Sequence, residues 1–313
     1  DVETALYMTN FVFNTITIVV DIAIMFVAIK TGEIHRQLVL WMIFLCMSTD
    51  ITVYLNTVIH DVPSFVMNTD IFKTPELAYV SVLFILCQWF SQLFALLILS
   101  VLHFIAIFSP AKFRSILPRH MWITNFFIIV IGTLLTVPMF TPCCGYSYMT
   151  GSHVWAFDTS KPFTYVWRAC NYVFQGVCVI VVACVDTVII WKIRTLRIVG
   201  TKRNGTFPSS RVAVTLETRG NREKRINREK RLALNFVFLS ACFLFQSIVY
   251  NLPFRHLFWY KFVIKFANTL NLSKWAIYAL ENARIRQGLL RLCRRRRIQS
   301  STTHSVVSFS QAR

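Results

Sequence analysis

Residues 77–108 read LAYVSVLFILCQWFSQLFALLILSVLHFIAIF, without a single Asp, Glu, Lys or Arg. A helix needs about 20 apolar residues to cross the hydrocarbon core of a bilayer, and this run exceeds that length. Six further segments are long enough: 6–29, 38–59, 121–140, 170–192, 232–254 and 257–280, the last being the most polar. The expected fold class is therefore all-α, an integral membrane seven-transmembrane helix bundle, with a short amphipathic helix on its cytosolic side. Composition agrees, since 55% of the 313 residues are hydrophobic and 15% aromatic, with a mean hydropathy of +0.54. Soluble domains rarely combine these values.

The few polar residues within 77–108 fall on one side. Gln88 and Gln92 are i, i+4 neighbours, and His103 follows Gln92 by about 1100° of helical rotation, nearly the same face. Lipid offers no hydrogen-bond partner, so that face should point into the bundle. Asp21, Asp50 and Lys274 are ionisable residues inside other apolar segments, where charge is costly and usually paired. Asp21, Asp50, Gln88, Gln92 and Lys274 are the expected buried polar core. Two readings of Lys274 stay open: a pair with Asp50, or a stem that carries its ammonium to the inner interface.

Orientation follows from the cations. Of 33 Lys and Arg, 26 fall in the first, third and fifth gaps and the tail. Those gaps hold Lys30 and Arg36; Lys112, Arg114 and Arg119; and the cluster from Lys192 to Arg231; the tail runs from Arg284 to Arg313. The other side holds Lys73, Lys161, Arg168, Arg255, Lys261, Lys265 and Lys274. Cytoplasmic loops carry the excess of Lys and Arg, so the N-terminus is expected outside and the tail in the cytosol. The same clustering accounts for the net charge of +19 and argues against nucleic acid as a partner. No cleavable signal peptide is visible, although the chain begins at Asp1 without an initiator Met.

The tail divides further. Ile285, Leu289 and Leu292 recur at i, i+4 and i+7 among arginines, the pattern of an amphipathic helix on the inner leaflet. The expected domains are residues 1–283 for the helix bundle, 284–297 for the basic juxtamembrane helix, and 298–313 for a disordered cytosolic tail. Cys293, beside Arg294–Arg297, is placed for palmitoylation. In the fifth gap NREKR occurs twice, at 221–225 and 227–231. It makes either a solvated cytosolic extension or a contact for an acidic partner or anionic membrane lipid. Among nine cysteines, only Cys143, Cys144 and Cys170 lie where an oxidising compartment could pair them.

Enzyme signals are absent: there is no H-E-x-x-H, G-x-S-x-G or P-loop pattern. His60, His103, His120 and His256 lack metal-ligand spacing, so neither a metal nor a cofactor is expected. Tyr79, Trp89, Trp155, Trp167, Tyr250, Phe258 and Trp259 can line a ligand cavity in the outer half of the bundle, or form the interfacial aromatic belt.

Two junctions carry a family resemblance. The stretch Leu102-His103-Phe104-Ile105-Ala106-Ile107-Phe108-Ser109-Pro110-Ala111-Lys112-Phe113 resembles the D-R-Y-x-A-I-x-x-P-x-x-Y pattern of rhodopsin-like G-protein-coupled receptors. It matches at Phe104, Ala106, Ile107, Pro110 and Phe113, with Leu102 and His103 replacing the acid and the arginine. Lys274-Trp275-Ala276-Ile277-Tyr278-Ala279-Leu280-Glu281-Asn282 resembles N-P-x-I-Y-x-L-x-N of the chemosensory members. The sixth-helix Trp-x-Pro pattern, the fifth-helix proline and the cysteine atop the third helix (here Ala78) are missing. Those departures, with Asp186, Phe245-Gln246-Ser247 and a Cys…Trp…Cys second outer loop, look like nematode serpentine chemoreceptors, the class x kind above all, over about residues 6–293.

The resemblance implies a plasma-membrane chemosensory receptor that binds a small, neutral or weakly polar ligand or odorant and signals through a heterotrimeric G protein. His103, Pro110, Arg228 and Arg231 would face the G protein. Asp50 matches the acid of the family's sodium pocket, and Lys274 stands in place of a neutral or acidic neighbour, implying a fixed counter-charge. With no cysteine atop the third helix, a disulfide inside the second outer loop is expected between Cys170 and either Cys143 or Cys144. The rivals are a seven-helix transporter, which usually shows internal repeats, and a ligand-gated channel of opposite topology.

Overall fold

The computed structural model describes residues 2–72, 74–150, 153–202, 238–250, 258–280 and 282–292. They form helices α1 (Val2–Lys30), α2 (Glu33–Arg36), α3 (Leu38–Asn56), α4 (Val62–Met67), α5 (Pro75–Phe108), α6 (Pro110–Ser115), α7 (Pro118–Thr136) and α8 (Thr164–Lys202). After these come α9 (238–250), α10 (Phe258–Leu280) and α11 (283–292). The chain is predominantly helical. Among the described residues, five helical segments are long and apolar enough to cross a membrane: Val2–Lys30, Leu38–Met67, Pro75–Phe108, Pro118–Phe140 and Thr164–Lys192.

The second of these runs past residue 59, where the apolar pattern was expected to stop. Pro63 cannot donate to the preceding turn and would crowd its carbonyl. The helix accommodates it by widening into a π turn over Thr57–Asp61 and continuing as α4. It ends at Asn68 in the left-handed conformation (φ 51°), which asparagine tolerates better than most residues. A second departure lies between α7 and α8. There β1 (Tyr146–Met149) and β2 (Val154–Phe157) pair antiparallel, with Tyr148 opposite Trp155.

Polarity runs opposite to that of a soluble bundle. Phe13, Val19 and Phe26 on α1, Trp122, Phe126 and Phe127 on α7, and Val173 and Ile180 on α8 face outward. Asp21, Asp50, Gln92 and Lys274 are buried. Such a surface suits lipid, where internal polar groups must satisfy one another. Helix α5 is central and packs on α3, α7 and α8. Its crossing with α7 is close because Gly132 has no side chain; a Cβ there would lie 2.6 Å from Ser91 Oγ. Helices α1 and α10 are tied by polar groups. Asn10 Nδ2 donates to Thr269 Oγ1 at 2.7 Å, and Thr269 Oγ1 donates to Asn14 Oδ1 at 3.0 Å.

At the end away from the hairpin, α11 docks beside α1 and α2. Ile285 is fully buried, and Leu289 and Leu292 pack against the core, so part of the apolar face meets protein. Glu33, itself buried, accepts from Arg284 at 2.7 Å and Arg36 at 3.3 Å. Burial alone would raise the Glu33 carboxyl, but the Arg284 hydrogen bond and charge bring it below the usual range. A depressed acid stabilises the fold above its unfolded pKa, and that contribution is lost as pH falls through the folded value. Protonation therefore weakens this clasp in acid.

Gly288 lies where a Cβ would overlap Val27 Cγ1. Gly288→Ala should lower the thermal midpoint of the purified protein by the equivalent of about 1–3 kcal/mol through overpacking, despite alanine's better helix propensity. Adding Val27→Ala should recover most of the loss. A stabilised Gly288→Ala single variant would show that the two helices part freely.

Candidate ligand cavity and buried charge relay

A cavity of about 200 Å³ lies between the hairpin and the core of the bundle. Tyr146, Trp155 and Phe157 of the hairpin line one side, and Trp89 and Tyr250 line it from α5 and α9. Trp89 is steadied by stacking on Phe243, with centroids 4.9 Å apart. The remaining polar surface is mostly carboxamide: Asn14, Asn171, Gln175, Gln246 and Asn268, with Gln88 and Asn271 deepest toward the ionisable residues. Among the described residues, no Asp, Glu, Lys, Arg or His lines the cavity.

Gln88 and Asn271 belong also to the network beneath. Gln88 Nε2 and Gln92 Nε2 both donate to Asp50 Oδ1 at 2.5 Å. Lys274 Nζ donates to Gln92 Oε1 at 3.0 Å and to Asn271 Oδ1. The acid and the ammonium are thus joined through the Gln92 amide, which gives its N–H to one and its oxygen to the other. No direct Asp50–Lys274 ion pair occurs among the described residues. The gap in depth between the two charges is bridged by a third side chain rather than by the lysine stem alone. Both residues are fully buried, so the lysine does not snorkel. Cation–π contacts to Trp275 at 5.0 Å and Phe243 at 5.5 Å complete its surroundings.

Asp21 is equally buried, yet neither carboxyl oxygen has a hydrogen-bond partner among the described residues. It lies near the relay without joining it. His103, on the same helix face as the two glutamines, is buried farther along α5.

The hairpin is fastened over the cavity by a second polar cluster. Trp155 Nε1 donates to Asp61 Oδ1 at 2.9 Å. The fully buried His60 sets Nδ1 2.8 Å from Asp61 Oδ1 and Nε2 3.0 Å from Asp70 Oδ1. A neutral imidazole has one N–H, so only the doubly protonated ring serves both carboxylates. Rings of Phe72, Tyr148 and Trp155 lie 4.4–5.0 Å from it. At the hairpin's base, Gly145 N donates to Thr164 Oγ1 at 3.0 Å and Lys161 Nζ to the Cys144 carbonyl at 2.9 Å.

Of the aromatic residues expected at a ligand cavity, Trp89, Trp155 and Tyr250 line it. Tyr79 lies partly exposed against Phe140, 5.4 Å between centroids. Trp167 packs on the core without lining the cavity, and Trp259 is exposed. Phe258 opens α10, but its side chain lies outside the described residues. Cys143 and Cys170 are exposed free thiols and Cys144 a buried one, so the expected loop disulfide is not formed in this structure. Pro110 opens α6; Arg228, Arg231, Cys293 and the tail 298–313 lie outside the described residues.

The carboxamide lining escaped sequence reading, which weighed ionisable and aromatic residues first. A signal was present. Asn171 and Gln175 stand four residues apart on α8, and Asn268 and Asn271 three apart on α10, so each pair shares a helix face inside an apolar segment.

Two expectations follow. Asp50→Asn or Lys274→Met alone should destabilise the detergent-solubilised protein by roughly 3–5 kcal/mol, since each leaves a buried charge unpaired. The double change should cost clearly less than the sum, and Gln92→Leu should abolish that non-additivity in a double-mutant cycle. Trp155→Phe removes the indole N–H together with part of a buried ring. It should cost about 1.5–3 kcal/mol, as expected for a hydrogen bond to a charged group, and should speed limited proteolysis of the hairpin; unchanged cleavage would mean that Asp61 does not hold it. No protein-family model matches the chain, and no curated protein is similar to it, so the function of this cavity has to be read from its own side chains.

Proposed function

We propose that this protein is a chemosensory receptor of the rhodopsin-like G-protein-coupled kind, akin to the nematode serpentine chemoreceptors. On this reading α9 and α10 complete a seven-helix membrane bundle. The N-terminus lies outside the plasma membrane and the basic tail in the cytosol, as the distribution of Lys and Arg requires. A small ligand enters from the hairpin side, and a heterotrimeric G protein meets the opposite end near His103, Pro110, Arg228 and Arg231.

The observation that carries the reading is the sharing of Gln88 and Asn271. Both line the cavity, and each also holds one charge of the buried relay. A ligand that bonds to either amide changes how well Asp50 and Lys274 are satisfied, and so changes the relative stability of helix arrangements that differ there. Differential affinity of this sort is what shifts a population between two states. The relay joins α3, α5 and α10, the elements that bear Asp50, Gln88, Gln92 and Lys274, so a change at the cavity reaches three helices at once. His103 stands in place of the family's arginine, so either its protonated ring supplies the charged contact at that surface or coupling to the G protein is weak.

The test is a ligand-response screen in cells that express the full chain with each of several Gα subunits. A ligand-dependent G-protein signal is expected, and Gln88→Leu at equal surface level should raise the half-maximal ligand concentration at least about tenfold. An N-terminal tag should be accessible on intact cells. A tag reached only after permeabilisation, or current through the protein without any Gα requirement, would overturn the receptor reading.

A further inference from the structure

We infer that the cavity takes a neutral ligand that donates at least two hydrogen bonds, one to Asn171 Oδ1 and one to Gln246 Oε1, and lays a flat apolar part against Trp89 and Trp155. The inference rests on the receptor reading only in treating the cavity as a ligand site, and it specifies the chemistry of what enters.

Three observations support it. The first is the pair of acceptors. Asn171 and Gln246 are each 7% exposed, both line the cavity, and both amide oxygens are buried without a hydrogen-bond partner among the described residues. Buried polar atoms are ordinarily paired. A ligand that brings donors to these two oxygens supplies the partners they lack, and one without donors leaves both unpaired.

The second observation fixes which atom of Gln246 is presented. Its Nε2 donates to Asn268 Oδ1 at 3.4 Å, and the Tyr250 hydroxyl donates to the same oxygen at 3.0 Å. Turning the Gln246 amide over would set oxygen against oxygen. The acceptor therefore stays free of Asn268, held by a neighbour that a hydroxyl already orients. Asn171 stands on α8 and Gln246 on α9, so a ligand with two separated donors links two helices that belong to different sides of the cavity.

The third observation concerns charge. Carboxamides hydrogen-bond without compensating a full charge, and no Asp, Glu, Lys, Arg or His lines the cavity among the described residues. A carboxylate or an ammonium would enter a low-polarity space and give up its hydration without a counter-ion, which is costly. The nearest buried charges, Asp50 and Lys274, already bond to Gln88, Gln92 and Asn271. The aromatic faces of Trp89 and Trp155 supply the flat apolar contact, and the volume of about 200 Å³ limits the ligand to fragment size.

The experiment uses the purified full chain in lipid nanodiscs and four probes on one scaffold. These are 1-phenyl-1,2-ethanediol, its dimethyl ether, mandelate, and 2-amino-1-phenylethanol as the ammonium. Binding is read by thermal midpoint and tryptophan fluorescence. The diol should raise the midpoint and bind at least tenfold more tightly than the ether, the carboxylate or the ammonium. Asn171→Leu and Gln246→Leu should each weaken diol binding about tenfold. An ether equal to the diol, including no shift from either, overturns the inference, as does tighter binding of either charged probe. The four-probe comparison on the unmodified chain decides the matter even where a leucine variant fails to fold. No G protein is present, so a chain that binds the diol selectively but gives no Gα-dependent signal in cells overturns the receptor reading and leaves this inference standing.

Discussion

A lysine ammonium buried among apolar helices is the constraint from which much else in this structure follows. A charge cannot be left in hydrocarbon without partners, and the nearest acid, Asp50, is not within direct reach. Gln92 resolves the mismatch because a carboxamide is both donor and acceptor. It takes the Lys274 proton on its oxygen and gives its N–H to Asp50. A purely acidic or purely basic residue at position 92 could satisfy only one of the two.

That arrangement fixes neighbouring helices in relative depth and rotation. Gln88 must stand one turn above Gln92 to reach the same Asp50 oxygen, and Asn271 one turn from Lys274 to accept a second of its three N–H bonds. Those two amides then form the boundary between the charged core and the cavity. Among the described residues the cavity lining carries no acidic or basic side chain, and the amides beneath it bond to Lys274 and to Oδ1 of Asp50. The neutrality expected of the ligand follows from that lining.

At the hairpin end the same principle works with different residues. The indole N–H of Trp155 and the ring of His60 converge on Asp61, so the segment that covers the cavity is held by charge-assisted bonds rather than by a disulfide. Such bonds are stronger than neutral ones, and they do not need an oxidising compartment. The free thiols of Cys143, Cys144 and Cys170 fit that account. The opposite end is closed by another buried acid, Glu33, on Arg284, which brings α11 against α1 at Gly288.

The sequence by itself determined five of the apolar helices and the burial of Asp21, Asp50, Gln92 and Lys274. These depend on local composition and on a repeat of 3.6 residues, which any reader of the chain can follow. It did not disclose the π turn before Pro63, because the cost of a proline is relieved by backbone geometry that no side-chain pattern records. Nor did it disclose the hairpin, whose strands are four residues each and carry no long alternation. The tertiary structure alone decided that Lys274 meets Asp50 through Gln92, that Trp89, Trp155 and Tyr250 face one cavity while Tyr79 and Trp259 do not, and that seven carboxamides from five helices gather around it. Each of these rests on the relative depth and rotation of helices far apart in the chain, and those are set by packing and by the need to satisfy buried charge, not by anything within one helix.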